Sequence, residues 1–143
     1  MNDTAKVVVD SSVLVKWFVE EDGSAKALRI RDKYIEGEVE IIVPELVTFE
    51  TLNALRYKGL FKDSEIKEIS EALDAFAFRL YSLKGEYARS AIDIAFKNDI
   101  TIYDSSYISL AMLENAIFYT ADSKLIGRLK KGYIKFVRNI REL

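Results

Sequence analysis

Aspartates end three apolar, strand-like segments of this 143-residue chain, and small hydroxyl residues stand beside each of them. Asp10 follows a run of valines and precedes Ser11 and Ser12, and Asp104 and Asp122 close two similar runs. In an open α/β sheet, ligands bind outside the carboxyl ends of the strands. Carboxylates gathered there repel one another unless protons or a cation intervene. The pattern therefore predicts a metal site that includes these three aspartates.

A fourth acid, Glu50, lies in a predicted helix that follows another strand-like run, residues 40–43. At about 100° per residue, its neighbours on the helix face are apolar or aromatic. A carboxylate on such a face is costly unless it is paired or bound to a cation. Arg56 and Lys58 do not share that face, whereas Asn53, three residues on, can hydrogen-bond to Glu50 or to a bound water. Glu50 therefore joins the predicted metal site, with Asn53 as a supporting residue.

Each aspartate also has a simpler interpretation. Asp is a favoured N-cap of a helix, and a neighbouring Ser is typical of such caps. The two interpretations are compatible, because a carboxylate at a strand–helix junction can also face the cleft. Ser12 and Thr120, close to Asp10 and Asp122, could orient a metal ligand or a bound water, although both residue types are also common in turns.

The composition restricts which chemistry such a site can perform. The chain contains neither His nor Cys. The usual zinc sites, His-based acid–base catalysis and Ser-His-Asp triads are therefore excluded. Oxygen ligands remain, and these suit Mg²⁺ or Mn²⁺. The formal net charge is −2, so nucleic-acid binding would need a local basic patch.

Short strand-like runs alternate with helical patterns along the chain. Strands are predicted near residues 6–10, 40–43, 100–103, 116–120 and 134–137, several with apolar residues in succession, as in strands buried on both faces. Helices are predicted near residues 12–18, 24–37, 45–59, 64–82, 86–97, 105–115 and 123–131. The alternation is typical of βαβ units, and it predicts one α/β domain over residues 1–143 with a mostly parallel sheet flanked by helices.

The last part of the chain is the candidate for contact with phosphate groups. Seven basic residues and no acidic one occur between residues 123 and 141. Such a stretch suits a phosphate-binding margin, although basic residues are also ordinary on exposed faces. Lys124 and Arg128 are one helical turn apart and close to Asp122, and they are the predicted substrate-binding residues.

A second stretch is a candidate for contact with a protein partner. Residues 73–83 fall in the predicted helix 64–82 and are apolar almost all round it. A helix packed on one side needs only an apolar stripe. The stretch therefore indicates either domain core or an interface, and the small size of the domain favours the interface.

Four segments of the chain together resemble the PIN-domain ribonucleases, in particular the small toxins of the VapBC type. The segments occur in order and read VVVDSSVLVKWF (7–18), VPELVTFETLNAL (43–55), IYDSSYISLA (102–111) and YTADSKL (119–125). The resemblance covers nearly the whole chain. It implies a five-stranded sheet in the order 3-2-1-4-5. It also implies a catalytic and metal-binding quartet, with Ser12 and Thr120 at the family's supporting hydroxyl positions; the quartet is Asp10, Glu50, Asp104 and Asp122.

The resemblance also implies an activity and partners. The activity is Mg²⁺- or Mn²⁺-dependent endonucleolytic hydrolysis of RNA, leaving a 5′-phosphate and a 3′-hydroxyl, by the toxin of a type II toxin–antitoxin pair. The implied partners are an antitoxin protein and a second copy of the chain, in a homodimer. The sequence shows no signal peptide and no apolar run of membrane-spanning length, so we expect a cytoplasmic protein that does not associate with membranes.

Several alternatives stay open at this point. The chain could be an RNA-processing PIN nuclease without an antitoxin, or a PIN-like module that binds RNA or protein without cleaving it, although the intact quartet argues against the second. A phosphatase or a phospho-accepting receiver domain also places acids at strand ends with Mg²⁺. Receivers typically carry a second acid beside the first and a Lys after the last strand. Here Ser11 and Ser12 follow Asp10, and Arg138 and Asn139 follow the last predicted strand.

Overall fold

A sheet of five parallel strands forms the centre of the protein, as described by a computed structural model for residues 4–143. The strands are β1 (Ala5–Val9), β2 (Val39–Pro44), β3 (Arg79–Tyr81), β4 (Ile117–Thr120) and β5 (Val137–Asn139). Their order across the sheet is β3-β2-β1-β4-β5, and each neighbouring pair is parallel. The predicted α/β class and strand order are therefore confirmed; residues 1–3 of the predicted domain lie outside the described residues.

The central strand β1 is buried on both faces. Val8 pairs with Ile42 of β2 on one side and with Phe118 of β4 on the other, and all three are fully buried. Its neighbours Val7 and Val9 are buried as well, which explains the unbroken apolar run in the sequence. The strand order reverses between β1 and β4, and in open α/β sheets ligands bind at the carboxyl side of this switch point.

Helices connect the strands throughout residues 4–143. They are α1 (Ser11–Leu14), α2 (Ser24–Ile35), α3 (Leu46–Lys58), α4 (Asp63–Phe76), α5 (Gly85–Asn98), α6 (Ile102–Leu113), α7 (Ser123–Arg128) and α8 (Lys131–Ile134). Two short 3₁₀ segments, Val15–Trp17 and Ile140–Glu142, complete the described elements. None of these helices is long and apolar enough to span a bilayer. The helices that matter for the site are α3, α6 and α7, because each begins near the carboxyl edge of the sheet.

The strand predicted at residues 100–103 is wrong, because this segment begins helix α6. Thr101 is the N-cap of α6, and its side-chain oxygen accepts a hydrogen bond from the backbone N–H of Asp104 at 3.0 Å. Such a cap stabilises a helix start. Ile102 and Tyr103 are 41% and 63% exposed, so their apolar side chains do not lie in the sheet. The third strand is instead the short β3.

The helix predicted at residues 64–82 is wrong in its last part. Helix α4 ends at Phe76, Ala77 adopts a left-handed conformation with φ of 54°, and β3 follows. The rings of Phe76 and Phe78 pack edge-on against Trp17, with centroids 5.1 and 5.9 Å away. The core interpretation therefore holds for this part of the apolar stretch, because the chain turns there and packs both partly buried rings against the core of the domain.

The last strand also lies later than predicted. The prediction placed it at residues 134–137, but Lys131–Ile134 form α8 and β5 begins at Val137. Val137 is buried and is the β5 residue that pairs with Phe118 of β4. Burial against β4 therefore selects the register of this edge strand, which the short apolar run alone left open.

Candidate active site

The four acids of the predicted quartet lie along the carboxyl edge of the sheet. Asp10 directly follows β1, Asp122 lies two residues after β4, and Glu50 is in α3, which begins just beyond β2. Asp104 lies in the first turn of α6 and not at a strand end, since the predicted strand does not exist. The charge of Glu50 raises the pKa of Asp10, that of Asp104 raises the pKa of Glu50, and that of Asp122 raises the pKa of Asp104. The structure therefore brings the quartet together as a continuous series of interacting carboxylates.

Asp10 is held by two hydroxyl groups, one on each carboxylate oxygen. Ser12 donates to Oδ1 at 2.5 Å, and Thr120 donates to Oδ2 at 2.6 Å. The backbone N–H of Ala121 donates to Ser12 Oγ at 2.9 Å, and that of Asp122 donates to Thr120 Oγ1 at 3.1 Å. Because Ser12 lies in α1, just after β1, and Thr120 is the last residue of β4, the carboxylate is fixed across the switch point of the sheet.

The surroundings of Asp10 favour its protonated form. Burial raises the pKa of Asp10 to about 6, and the charge of Glu50 contributes in the same direction. The hydrogen bonds from Ser12 and Thr120 lower the pKa of Asp10, but burial has the larger effect. Part of the residue's surface remains accessible, so a ligand from solvent can reach it. A cation beside Asp10 would relieve the unfavourable burial of its charge.

Glu50 is oriented by a residue that was not predicted from the sequence. The hydroxyl of Tyr107 donates to Glu50 Oε1 at 2.5 Å. Burial raises the pKa of Glu50 and the charge of Asp104 raises it further, while the Tyr107 hydrogen bond acts in the opposite direction. The sequence signal for Tyr107 is its position one helical turn after Asp104, which places both side chains on the same face of a helix. In a strand, residues at this spacing point to opposite faces, so the wrong prediction of a strand ending at Asp104 concealed the relation.

Asp104 is positioned by the cap of α6. Thr101 hydrogen-bonds to the backbone N–H of Asp104, as described above. Burial raises the pKa of Asp104 and the charge of Asp122 adds to this effect, while Thr101 and the positive charge of Arg128 lower the pKa. Arg128, a predicted substrate-binding residue, is therefore close enough to influence the quartet electrostatically.

Removing the Thr101 cap should loosen the start of α6. We expect Thr101→Ala to lower the free energy of unfolding by about 1 kcal/mol, because one N-terminal N–H of the helix loses its acceptor. Thermal unfolding should show a fall in Tm of roughly 2–4 °C. Thr101→Ser retains the hydroxyl and should behave like the wild type. An unchanged Tm for Thr101→Ala would show that the cap contributes no stability.

Only Asp122 fits the helix-cap interpretation. Its Oδ1 accepts a hydrogen bond from the backbone N–H of Leu125 at 3.0 Å and so caps α7. Asp10 also precedes a helix, but its side chain makes no capping hydrogen bond and binds Ser12 and Thr120 instead. Capping alone therefore does not account for Asp10, whose two carboxylate oxygens accept hydrogen bonds from Ser12 and Thr120.

The remaining predicted site residues lie at the margins of the quartet. Asn53 is exposed, and with Glu50 it lines a groove of about 900 Å³ beside α3 and α4. Lys124 and Arg128 are exposed on α7, the helix that Asp122 caps. At the other end of the basic stretch, Arg141 is paired with Asp22. The two predicted basic residues therefore occupy the part of the stretch nearest the acids.

The donor set of the quartet fits a divalent cation. The salt bridges within residues 4–143 involve other acids, and none includes a member of the quartet. The hydrogen-bond donors to the quartet are hydroxyls and a backbone N–H, which orient carboxylates without neutralising them. An all-oxygen set of this kind is the one that Mg²⁺ and Mn²⁺ prefer.

The side chains do not enclose an ion on their own. Among the described residues 4–143, no three acidic side chains are grouped closely enough to hold a metal ion. Mg²⁺ commonly binds one or two carboxylates and completes its coordination with water and substrate phosphates. The spacing of the quartet fits this open kind of site, and it argues against a closed cage of protein ligands.

Comparisons with known proteins place these features in one family. The family model described as the PIN domain matches residues 7–131. "Ribonuclease VapC3" of Pyrobaculum aerophilum is 28% identical over 125 residues, which are 84% of this chain and 92% of that protein. The crystal structure of PAE2754 from the same organism has a TM-score of 0.65 and 18% identity, covering 98% of this chain and 93% of the other. A toxin–antitoxin complex from Klebsiella pneumoniae has a TM-score of 0.69 and 13% identity, covering 94% and 97%. The two solved structures share the fold of this chain.

Proposed function

This chain belongs to the PIN-domain family, and we propose that it is a metal-dependent endoribonuclease that hydrolyses RNA phosphodiester bonds. One observation carries the proposal: four carboxylates interact at the carboxyl edge of the sheet, and no basic side chain forms a salt bridge to any of them within residues 4–143. The resemblance to a ribonuclease over most of both chains supports the choice of substrate.

Each group of the site has a role in this proposal. Asp10, Glu50, Asp104 and Asp122 would supply the carboxylates for Mg²⁺ or Mn²⁺, with one or two of them bound directly to an ion and water or RNA phosphate oxygens completing its coordination. When bound, such an ion lowers the pKa of a coordinated water and stabilises negative charge on the phosphate in the transition state. Asp104 or Glu50, whose pKa values are both raised, can accept a proton from the attacking water. With no His in the chain, a pair of imidazoles cannot drive attack by the ribose 2′-hydroxyl. The resemblance to the family implies products with a 5′-phosphate and a 3′-hydroxyl.

The proposed activity can be tested on labelled single-stranded RNA. We expect internal cleavage by the purified protein in Mg²⁺ or Mn²⁺ and none in EDTA. The 3′ ends should be free hydroxyls that a polymerase extends without phosphatase treatment. Cleavage that persists in EDTA, or products ending in a 2′,3′-cyclic phosphate, would show that the assigned chemistry is wrong. Binding of RNA without any cleavage would favour the non-cleaving PIN-like module.

Basic residues on α7 should contribute to RNA binding. We expect Lys124→Ala and Arg128→Ala each to raise the KM for RNA about 3- to 10-fold. Each should also reduce the slope of the logarithm of RNA affinity against the logarithm of salt concentration by about one, the value for one lost phosphate contact. Lys131→Ala is the matched control, since it removes the same charge from the same basic stretch. Lys131 lies on α8, which directly precedes β5. It therefore lies toward the amino ends of the strands, whereas the quartet lies at their carboxyl ends. Equal effects of all three substitutions would indicate nonspecific charge rather than a defined margin.

We also propose an antitoxin partner and a homodimer, acting in the cytoplasm. The Klebsiella pneumoniae structure of the same fold is a toxin–antitoxin complex, which supports a protein partner. The groove beside α3 and α4 offers such a partner an apolar surface next to Glu50, formed by Phe49, Leu52, Phe61 and Ile66.

Expression of the chain alone should arrest growth of a bacterial host, and co-expression of the product of the adjacent upstream reading frame should restore growth. Cleavage of RNA without growth arrest would favour an RNA-processing nuclease that has no antitoxin. Sedimentation of the purified chain tests the homodimer.

A further inference from the structure

Tyr107 joins two of the elements that carry the quartet. It lies in α6, three residues after Asp104, so the two side chains project from the same face of the helix. Its hydroxyl reaches across to Glu50 in α3, with 2.5 Å between Oη and Oε1. The hydrogen bond therefore links the helix that carries Asp104 to the helix that carries Glu50.

The ring of Tyr107 is immobilised by the core. Only 2% of the residue is exposed, and its ring stacks on Phe118 of β4 with centroids 5.4 Å apart. Phe118 is itself fully buried in the central part of the sheet. Because close-packed side chains keep a single rotamer, the position of the hydroxyl is set by the sheet and not by the mobile end of a surface side chain.

Glu50 needs such a support more than Asp10 and Asp122 do. Its side chain has one more rotatable bond than Asp, so more conformational entropy is lost when it is held in one position. Asp10 has two donors and Asp122 has a backbone donor, whereas the hydrogen bond to Glu50 within residues 4–143 comes from Tyr107. That bond occupies Oε1 and leaves Oε2 available to a ligand.

We propose that Tyr107 is a positioning residue that holds Glu50 in place relative to Asp104, so that Glu50 Oε2 can bind a divalent cation. It touches neither the substrate nor the reacting atoms. The inference rests on the proposed function only where RNA cleavage is the readout, because cation binding can be measured without RNA.

A pair of Tyr-to-Phe substitutions provides the test. Tyr107→Phe removes the hydroxyl that binds Glu50. Tyr87→Phe is the matched control, since Tyr87 is also buried and its hydroxyl donates to the backbone carbonyl of Ser106 at 2.9 Å. By calorimetric titration of the full chain, we expect Tyr107→Phe to weaken Mn²⁺ binding on the order of 10-fold or more. Tyr87→Phe should stay within about twofold of the wild type, as expected for a substitution outside the ligand shell.

A double-mutant cycle shows whether Tyr107 acts through Glu50. In the Glu50→Ala background, Tyr107→Phe should change the Mn²⁺ affinity by less than about twofold, because there is no longer a carboxylate to position. Thermal unfolding of each variant confirms that it is folded before titration. A merely structural role for the hydroxyl would instead produce the same loss of affinity in both backgrounds, and this result would overturn the proposal.

The remaining outcomes separate this proposal from the proposed activity. Wild-type Mn²⁺ affinity in Tyr107→Phe would overturn the positioning role even if RNA cleavage by the wild type is observed. If Tyr107→Phe weakens Mn²⁺ binding in the wild-type background but not in Glu50→Ala, the positioning role is supported even when the wild type cleaves no RNA. In that case only the proposed function fails. A wild-type chain that binds no Mn²⁺ would overturn both.

Discussion

Asp10→Asn should abolish RNA cleavage while leaving the protein folded. The substitution removes the negative charge of the half-buried Asp10. The loss of several kcal/mol of transition-state stabilisation lowers the rate by roughly 10³-fold or more. The amide has nearly the shape of the carboxylate, so the neighbouring β1 and β4 backbone need not move. The amide oxygen can still accept a hydrogen bond from Ser12 or Thr120, each of which donates to one carboxylate oxygen in the wild type.

The measurement is kcat/KM for a labelled RNA with Mn²⁺ present. Asp93→Asn is the matched control, because Asp93 is exposed on α5 and does not belong to the quartet. We expect this control to cleave at the wild-type rate. Both variants should unfold cooperatively, so that a loss of rate cannot be attributed to a loss of structure. Cleavage retained by purified, folded Asp10→Asn would remove Asp10 from the catalytic quartet.

The ion-free protein should lose stability as the pH rises through the range in which Asp10 titrates. The ordinary pKa of its carboxyl is 3.8, and burial raises it to about 6 in the folded protein. Below pH 4 both states are protonated and Asp10 contributes nothing. Between about pH 4 and 6 the unfolded chain releases its proton first, so the free energy of unfolding falls as the pH rises. The loss is complete above the folded pKa and amounts to about 3 kcal/mol.

This loss should be reversed by a divalent cation, which binds the folded protein and neutralises the same charge. Denaturant unfolding in EDTA at pH 4.5 and pH 8, repeated with Mn²⁺ at pH 8, measures both effects. Glu21 and Glu114 oppose the trend, because hydrogen bonds from Lys58 and Tyr81 respectively lower their pKa values.

Comparison with Asp10→Asn isolates Asp10 from these other groups. The variant lacks the titrating carboxyl, so in EDTA it should be more stable than the wild type at pH 8 and should show a smaller gain at pH 4.5. Asp93→Asn should follow the wild type at both pH values. Identical pH dependence in the wild type and Asp10→Asn would show that the carboxyl of Asp10 is not destabilised by its burial.

The fold class could be predicted from local sequence, because a strand that is buried on both faces appears as a run of apolar residues. Val7, Val8 and Val9 are all buried, and such consecutive burial appears in the sequence as an unbroken apolar run. The helices between such runs then require parallel strands with crossover connections. The segment at residues 100–103 shows where this record is ambiguous. A short apolar run suits either element, and the Thr101 cap decided in favour of the helix.

The sequence by itself was also sufficient to predict a type of chemistry. Acids after strand-like runs, a carboxylate on an apolar helix face and the absence of His and Cys together indicated an oxygen-ligand cation site. These are properties of residue type and local spacing, so no tertiary information was needed to find the four acids.

Only the tertiary structure decided how those acids are held. Thr120 reaches Asp10 from 110 positions away, and Tyr107 reaches Glu50 from 57 positions away. No local period records such contacts, because they arise when strands β1 and β4 pair in the sheet and when the folded chain brings a side chain of α6 within reach of α3. The same packing distinguishes Asp10, whose carboxylate is bound on both oxygens, from Asp122, which caps a helix. Residue types thus identified the four carboxylates, and long-range packing set their orientation.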